Sequence, residues 1–420
     1  MPLWVAVIAT LPIASAMADQ VASKQAASNQ AISEQGAESA VQRGRYLARA
    51  GNCVSCHTAE GGKPFAGGLA FETPFGKLYS TNITPDATNG IGKWSEEEFA
   101  RALREGVRPN GDHLYPAFPY TAYTKMSDED VSALYAYFKT VQPVATTVPA
   151  NEMGFPYNQR WALGVWKTLF FDEGRFEPEQ SQSAEWNRGA YLVEGLAHCS
   201  SCHSPRNFMG AERSSAAFTG GEYTDKVPSG EVRPWSTPNL TNVSNGLEAW
   251  TVDDLTAYLK TGRNTFAETF GPMNEVILNS TRHLTEPDVK AMATYLKSLP
   301  GNKGDIGKPA DAETLRAGGT LYDLHCGTCH QPTGLGSPSH DAGARLVGSP
   351  VVQASNPAAL INMILYGPQL AKLPTKHWKD MPSFGEKLAD DEIAAIASYL
   401  RSAWGNVGGA VTEEQVFKQR

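Results

Sequence analysis

The chain has 420 residues, 41% hydrophobic and 19% charged, a length that corresponds to two or three domains. This composition builds hydrophobic cores and excludes an intrinsically disordered chain. The chain carries 36 Lys and Arg against 44 Asp and Glu, a formal charge of −8 with no basic stripe, which argues against a nucleic-acid partner.

The N-terminus is predicted to direct export. Residues 1–18 contain an apolar run over 3–13 and a small-residue cleavage site, Ala-Met-Ala, at 16–18. No Lys or Arg precedes the run, so either the true start lies upstream or the signal is atypical. A buried N-terminal strand or helix is the alternative. Residues 19–40, rich in Ala, Gln and Ser, predict a flexible tether. Elsewhere no ~18 apolar residues run together, so no internal membrane span is predicted.

The rest of the chain repeats one unit three times. Cys-x-x-Cys-His occurs at 53–57, 199–203 and 326–330 and uses all six cysteines. A helical pattern precedes each motif, and two helical segments follow it. The first of these opens with a Ser, Thr or Asn cap and stops at a glycine, and the second begins beside acidic residues. Each unit is therefore predicted to be helix, motif, loop, helix, loop, helix.

These repeats define the predicted domains. Unit 1 covers residues 41–145, unit 2 covers 186–300 and unit 3 covers 312–405. Between and after them lie a linker with an amphipathic helix at 146–185, a second linker at 301–311 and a C-terminal tail at 406–420.

Cys-x-x-Cys-His is the attachment signal of c-type haem. Two cysteines one helical turn apart can each bond one vinyl group of a porphyrin, and the adjacent histidine points a ring nitrogen at the iron. The predicted attachment residues are Cys53, Cys56, Cys199, Cys202, Cys326 and Cys329, and the predicted iron ligands are His57, His203 and His330. A thioredoxin-like redox pair would need a βαβ setting, and a zinc site would need a fourth ligand shared by all copies; we find neither. The sequence therefore predicts a mainly α fold of three tandem class I cytochrome c-like domains, each built around one covalent haem c.

A methionine in the loop before each closing helix would complete the iron coordination, as in electron-carrying cytochromes c. Met381, followed by Pro382, and Met273, in Gly-Pro-Met-Asn, fit this position in units 3 and 2. In unit 1 the position is taken by Phe118, which cannot bind iron. The nearest sulfur there is Met126, for which a hydrophobic staple onto the closing helix is an equal alternative. His113 is a weaker candidate, and a five-coordinate first haem is a further option.

With the three units laid out, the chain resembles the trihaem cytochrome c subunit of bacterial membrane-bound dehydrogenases, the periplasmic complexes that oxidise alcohols, gluconate, sugars and aldehydes. The segments that carry the resemblance are YSTNITP at 79–85, LYPA at 114–117, CHSPRN at 202–207 and YLKSLP at 295–300. The Tyr-Pro-Ala-Phe-Pro-Tyr segment at 115–120 departs from the Met-Pro-Tyr form of the alcohol and gluconate members. It resembles the cytochrome partners of molybdenum-dependent dehydrogenases for aldehydes or N-heterocycles.

The resemblance implies an electron-transfer subunit that is not an enzyme by itself. A separate catalytic subunit with a flavin, quinone or molybdenum cofactor would supply electrons, and ubiquinone or an oxidase would accept them. The chain would lie peripherally on the outer, periplasmic face of the cytoplasmic membrane. Two alternatives stay open: a free-standing carrier, and a peroxidase-like enzyme acting at an open first haem. The second rests on Phe118 alone.

Three further features carry weaker expectations. Arg206 is close enough to the second motif to reach a haem propionate, with an exposed side chain as the alternative. Asn82 and Asn239 lie in matching turns, which turn formation alone explains. In the linker, Trp161, Val165 and Leu169 share one helical face, with Trp166 and Phe170 beside it. We expect this surface to pack against the neighbouring domains; contact with the membrane or the catalytic subunit is the alternative.

Overall fold

The computed structural model describes residues 36–227, 229–337, 342–368 and 380–420. The predicted export signal and most of the predicted tether lie outside these residues. The described part of helix α1 covers 36–50. The other elements of unit 1 are α2 (Cys53–Cys56), β1 (Ala70–Thr73), β2 (Gly76–Tyr79), α3 (Glu96–Glu105), α4 (Tyr120–Tyr123) and α5 (Asp128–Thr140). The linker contains β3 (Glu152–Met153) and α6 (Ala162–Phe170).

Units 2 and 3 follow the same order. Unit 2 contains α7 (Ala184–Ala190), which continues as a π-helical turn (Tyr191–Leu196), then α8 (Ser200–His203), β4 (Gly221–Lys226), β5 (Val232–Thr237), α9 (Val252–Thr261), α10 (Met273–Asn279) and α11 (Glu286–Ser298). Unit 3 contains α12 (Ala312–His325), α13 (Gly327–His330), α14 (Ala358–Tyr366) and α15 (Asp390–Ser402), and α16 (Glu413–Phe417) follows it. Short 3₁₀ turns lie at Ser214–Ala216, Thr281–His283 and Ala403–Gly405.

Local sequence explains where the helices start and stop. The Ser95 and Thr251 side chains each cap a middle helix. In return, the carboxylate three positions on, of Glu98 or Asp254, accepts a hydrogen bond from the backbone amide of the cap residue. Gly106 and Gly262 end these helices with φ of 62° and 81°, the left-handed backbone that favours glycine. Unit 3 differs slightly, because α14 begins after Pro357 and the predicted cap Asn356 instead accepts a hydrogen bond from the Ala358 amide.

In each unit the first and last helices cross at a glycine. A Cβ on Gly44 would lie 1.9 Å from the Ala133 carbonyl oxygen, and a Cβ on Gly189 would lie 2.0 Å from that of Ala291. Gly318 stands in the same relation to Ala395 at 2.1 Å. The helices therefore touch backbone to backbone, and the described chain repeats this crossing three times.

The hydrophobic cores divide the chain differently from the repeats. Units 1 and 2 share one continuous cluster of buried side chains that includes Leu47, Leu134, Leu192 and Leu296. Unit 3 has its own cluster, which also takes in Val416 of α16. The segment after residue 405 is thus packed against unit 3 where the structure describes it.

Two small antiparallel sheets accompany the helices, although no strand was predicted from the sequence. One has the order β1-β2-β3, with Ala70 opposite Tyr79 and Gly76 opposite Met153. The other pairs β4 with β5 and places Tyr223 opposite Trp235. The mainly α class is confirmed, with these hairpins as additions in the loops that follow the first two motifs.

Candidate haem-binding sites

All three motifs lie on single helical turns that follow a break after the first helix of their unit. These turns are α2, α8 and α13. Two of the breaks use a residue with positive φ, Asn52 at 50° and His198 at 40°. The six cysteines are free thiols, and no disulfide joins the two cysteines of a motif. Each unit therefore presents two thiols and the following histidine on one compact turn.

The thiols are poorly suited to thiolate chemistry. Burial raises the pKa of Cys53 and Cys199 to about 12, and it raises that of Cys202 and Cys326 to about 11. A redox-active or metal-binding cysteine has a lowered pKa instead. In the described part of the chain, no group of three or more Cys, His, Asp or Glu side chains is placed to hold a metal ion. The second observation agrees with the sequence, in which no fourth zinc ligand is shared by the three copies.

The three motif histidines share one hydrogen-bond pattern. Their Nδ1 atoms lie 2.7 Å from the Thr81 carbonyl oxygen for His57, 2.9 Å from that of Pro238 for His203 and 2.7 Å from that of Ala344 for His330. A carbonyl oxygen only accepts, so Nδ1 carries the proton and Nε2 keeps its lone pair. Burial lowers the pKa of each ring, partly offset by the carbonyl bond. A neutral, oriented imidazole with Nε2 available is what an axial iron ligand requires.

The matching asparagines build the turns that present two of these carbonyls. Asn82 follows Thr81, and its side-chain oxygen accepts from the Thr84 amide at 2.9 Å. Asn239 follows Pro238 and accepts from the Thr241 amide at 2.8 Å. Turn formation thus accounts for both residues, and the turn in addition positions the acceptor of the motif histidine.

The candidate methionines differ in their surroundings. Met273 is half-buried at the first position of α10, and Met381 is half-buried beside the core of unit 3. Met126 is fully buried, and its carbonyl accepts a hydrogen bond from Arg104 at 2.8 Å. Phe118 packs against Tyr123 at 5.5 Å between ring centroids. Met126 and Met381 lie in loops ahead of the closing helices, as predicted, whereas Met273 begins the short helix α10, which the sequence did not predict.

Two tryptophan N–H groups have no acceptor. The indoles of Trp235 and Trp250 are 2% and 6% exposed, and neither Nε1 finds a hydrogen-bond partner among the described residues. A buried donor without an acceptor destabilises the fold. A cofactor with carboxylate groups, such as haem, could satisfy such donors, so these residues fit the group that the motifs imply. The sequence pattern gave no signal for them.

Arg206 is exposed, as the alternative expectation had it, but its guanidinium is held by the neighbouring backbone. Its guanidinium donates to the carbonyl oxygens of Ser201 and Gly210, both at 2.7 Å. The same group lies 3.9 Å from Glu212. It therefore ties together the loop that follows the second motif.

The linker helix packs against its neighbours through Trp166 and Phe170, and the face that the sequence pattern named is exposed. Trp161, Val165 and Leu169 on α6 are 72%, 55% and 61% exposed. The buried residue is Trp166, whose Nε1 donates to the Met209 carbonyl at 3.0 Å. Because α6 is apolar on both sides, periodicity could not tell which face meets the protein. Within the described ranges, no helix combines the length and the apolar character of a membrane span.

Comparison with known proteins agrees with this geometry. The family model "Cytochrome c" matches residues 41–142, and "Cytochrome C oxidase, cbb3-type, subunit III" matches residues 313–400. The chain is 39% identical over 412 residues to the fructose dehydrogenase cytochrome subunit of Gluconobacter japonicus, covering 90% of this chain and 82% of that protein. It is 38% identical over 414 residues to the gluconate 2-dehydrogenase cytochrome c subunit of Pantoea cypripedii, covering 92% and 91%.

A third relative is much longer than this chain. The chain is 41% identical over 373 residues to a nicotinate dehydrogenase subunit of Pseudomonas putida, and the match covers 86% of this chain and only 30% of that protein. The cytochrome subunits among these relatives are electron-transfer components of dehydrogenase complexes and not their catalytic subunits. The same role holds for this chain, as the resemblance implied.

Proposed function

The chain belongs to the cytochrome c subunits of dehydrogenase complexes, and we propose that it carries three covalent haem c groups, one in each unit. The cysteine pairs of the motifs would hold them through thioether bonds. Histidines 57, 203 and 330 would each supply Nε2 to an iron. When bound, the haems would supply reversible one-electron oxidation and reduction. The supporting observation is the Nδ1 bond to a backbone carbonyl, repeated at all three histidines.

We propose methionine as the sixth ligand in every unit, from Met126, Met273 and Met381. For Met126 the support is its neighbour Tyr123, whose hydroxyl donates at 3.3 Å to the Gly51 carbonyl just before the first motif. A thioether ligand favours the reduced iron and raises the potential. The hydrogen bond from Nδ1 to a backbone carbonyl would keep each motif histidine neutral and fixed in orientation, so that it could hold the iron in both oxidation states.

We further propose the place of the chain in its complex. The donor would be a separate catalytic subunit, and the acceptor ubiquinone or an oxidase, on the periplasmic side of the cytoplasmic membrane after export. The identity to the nicotinate dehydrogenase relative and the Phe118 form of the first unit support a molybdenum-type partner that oxidises an N-heterocycle or an aldehyde. A dehydrogenase subunit that co-purifies with the chain and reduces it with such a substrate supports this placement, whereas a chain isolated alone supports the free-standing carrier.

The haem count is tested first. The exported full-length protein should bind three haems and three iron atoms per chain. His57→Ala, His203→Ala and His330→Ala should each remove the low-spin spectrum of one haem. His283→Ala is the control, because His283 is exposed and outside the motifs. A colourless protein, or fewer than three haems in the wild type, contradicts the proposal.

The sixth ligands are tested by exchanging sulfur for carbon at nearly constant volume. Met126→Leu, Met273→Leu and Met381→Leu should each remove one third of the sulfur-to-iron charge-transfer absorbance. Met292→Leu is the matched control, since Met292 is a core residue of α11 that is 1% exposed. An unchanged band in any of the first three variants rules out that methionine as a ligand.

A further inference from the structure

The contact between units 1 and 2 contains a carboxylate that is shared by both units. Asp130, at the start of α5 in unit 1, is 1% exposed. Arg43 of α1 donates to its Oδ1 at 2.6 Å. The hydroxyl of Tyr191, which belongs to unit 2, donates to its Oδ2 at 2.6 Å and accepts from the Ser127 amide at 3.3 Å. A tyrosine of unit 2 therefore completes an ion pair of unit 1.

The same cluster occurs a second time with the units exchanged. Asp288, at the start of α11 in unit 2, accepts two bonds of 2.8 Å from Arg188 of α7. Its Oδ2 also accepts from Tyr46 of unit 1 at 2.5 Å, and the Tyr46 hydroxyl accepts from the Thr285 amide at 3.2 Å. Burial would raise the pKa of Asp288, but the bonds from Arg188 and Tyr46 hold it below its usual value. The carboxylate is thus ionised, and its hydrogen bonds are charge-assisted.

The two clusters use equivalent positions of the repeat. Each arginine stands one residue before the crossing glycine, and each tyrosine stands two residues after it. In unit 3 those positions are Ala317 and Thr320, and both side chains are exposed. The tyrosines are therefore present where this face meets another unit and absent where it does not. Units 1 and 2 therefore make a reciprocal contact in which each supplies its tyrosine to the other, and unit 3 does not join in this way.

The pairing brings the first two haem sites together. Helix α10 of unit 2 begins at the candidate ligand Met273 and ends at Asn279, about 9 Å further along its axis. The side-chain amide of Asn279 donates at 2.9 Å to the hydroxyl of Ser55, which lies between the two cysteines of the first motif. The next residue, Ser280, donates at 3.1 Å to the Ala50 carbonyl. One short helix thus connects the ligand loop of unit 2 to the attachment turn of unit 1.

We propose that Tyr46 and Tyr191 are positioning residues that hold the haem sites of units 1 and 2 at a fixed separation. Electron transfer between these two sites then depends on the two tyrosine hydroxyls, each of which donates to an aspartate of the other unit. The inference rests on the proposed function for its haems, and it goes beyond it by naming which units are coupled and what holds them. Burial raises the pKa of both tyrosines, so both hydroxyls stay protonated and donate at physiological pH.

The test uses the full-length, haem-loaded protein. Tyr46→Phe, Tyr191→Phe and the double variant remove only the hydroxyls. Tyr135→Phe is the matched control, because the Tyr135 hydroxyl donates at 2.8 Å to the Trp94 carbonyl inside unit 1. Loss of either hydroxyl should lower the hydrogen-exchange protection factors of the amides in α1 and α7 about tenfold, which corresponds to about 1.4 kcal/mol. The control should leave the exchange protection of α7 unchanged.

A second readout separates positioning from stability. After rapid one-electron reduction, redistribution of the electron between the haems is followed optically. The double variant should lose the fastest phase, at unchanged haem content and midpoint potentials. If protection falls but the fast phase persists, the tyrosines only stabilise the fold and the inference is overturned. If protection is unchanged, the clusters do not hold the units together. A wild type with fewer than three haems, by contrast, contradicts the proposed function itself.

Discussion

The helix crossing of unit 3 allows a prediction with its own internal control. Gly318 and Gly319 are neighbours in α12, so both gain about 1 kcal/mol of helix propensity when replaced by alanine. They differ in what the added Cβ meets. At Gly318 it would lie 2.1 Å from the Ala395 carbonyl oxygen, where contacts under 3.0 Å essentially never occur. At Gly319 its nearest neighbour is a ring carbon of Tyr399 at 3.2 Å.

The backbone of α15 cannot rotate away as a side chain can, so Gly318→Ala must push α12 and α15 apart by about 1 Å. Overpacking of this kind costs about 1–3 kcal/mol and occasionally more. The tilted Tyr399 ring can give the few tenths of an ångström that Gly319→Ala needs. We therefore expect the free energy of unfolding of unit 3 to be about 3 kcal/mol lower in Gly318→Ala than in Gly319→Ala. A domain of this size would show a melting temperature lower by more than 10 °C, at roughly 4–8 °C per kcal/mol.

Hydrogen exchange of the amides in α12 and α15, measured in the haem-loaded protein across a urea series, gives the stability of unit 3 without relying on a single transition for the whole chain. Gly44→Ala and Gly189→Ala should repeat the effect in the other two units, since their Cβ atoms would meet carbonyl oxygens at 1.9 and 2.0 Å. Equal stability of Gly318→Ala and Gly319→Ala would refute the reasoning, because packing distance would then not decide the outcome.

Three further predictions concern buried polar and aromatic groups. Arg401 is 1% exposed and donates to three backbone carbonyls, so Arg401→Met should lower the free energy of unfolding by about 3 kcal/mol, measured in urea. The control Arg316→Met, at an exposed position, should change it by no more than about 0.5 kcal/mol. Equal losses in the two variants would contradict this prediction. Trp166→Ala should destabilise by about 3–5 kcal/mol and Trp161→Ala by less than about 1, reversing the order expected from helical periodicity alone. Burial lowers the pKa of His198, so below about pH 6.5 the unfolded chain binds a proton at this residue that the folded chain does not, and the stability of the wild type should fall. His198→Asn, a residue that tolerates the positive φ, should flatten the pH dependence of the free energy of unfolding. Parallel curves for the variant and the wild type would assign that pH dependence to other groups.

Local features of the fold could be predicted from the sequence because their causes are local. The closing helices begin at Asp128, Glu286 and Asp390, beside the caps and acidic residues that indicated them. The three motifs and their helical frames also follow from short-range patterns. The strands did not, because β1 and β2 are only four residues each and their sequences, AFET and GKLY, do not alternate between apolar and polar residues.

The parts of the haem sites that sequence could not give come from residues far along the chain. The carbonyls that orient the motif histidines lie 24, 35 and 14 residues downstream, a spacing that differs in every unit. Tyr46 lies 242 residues from Asp288, and Tyr191 lies 61 residues from Asp130. Pairs at such separations depend on how whole units pack, which no window of sequence contains.

The way unit 3 is attached to unit 2 contrasts with the exchanged clusters. In this contact α14 lies on β5, and the Asn362 side chain donates to the Pro234 carbonyl at 2.9 Å. Nearby, the Asn356 side chain donates to the Glu222 carboxylate at 2.7 Å, and no arginine–aspartate cluster of the exchanged kind is found among the described residues. At the centre of the contact Trp235 packs with Ala359 of α14. The same indole lies against Gly271, where a Cβ would be 2.9 Å from the ring, two residues before Met273. Unit 3 therefore reaches the ligand loop of unit 2 through Trp235, whereas unit 1 reaches it through α10 and is held in addition by the two charged clusters.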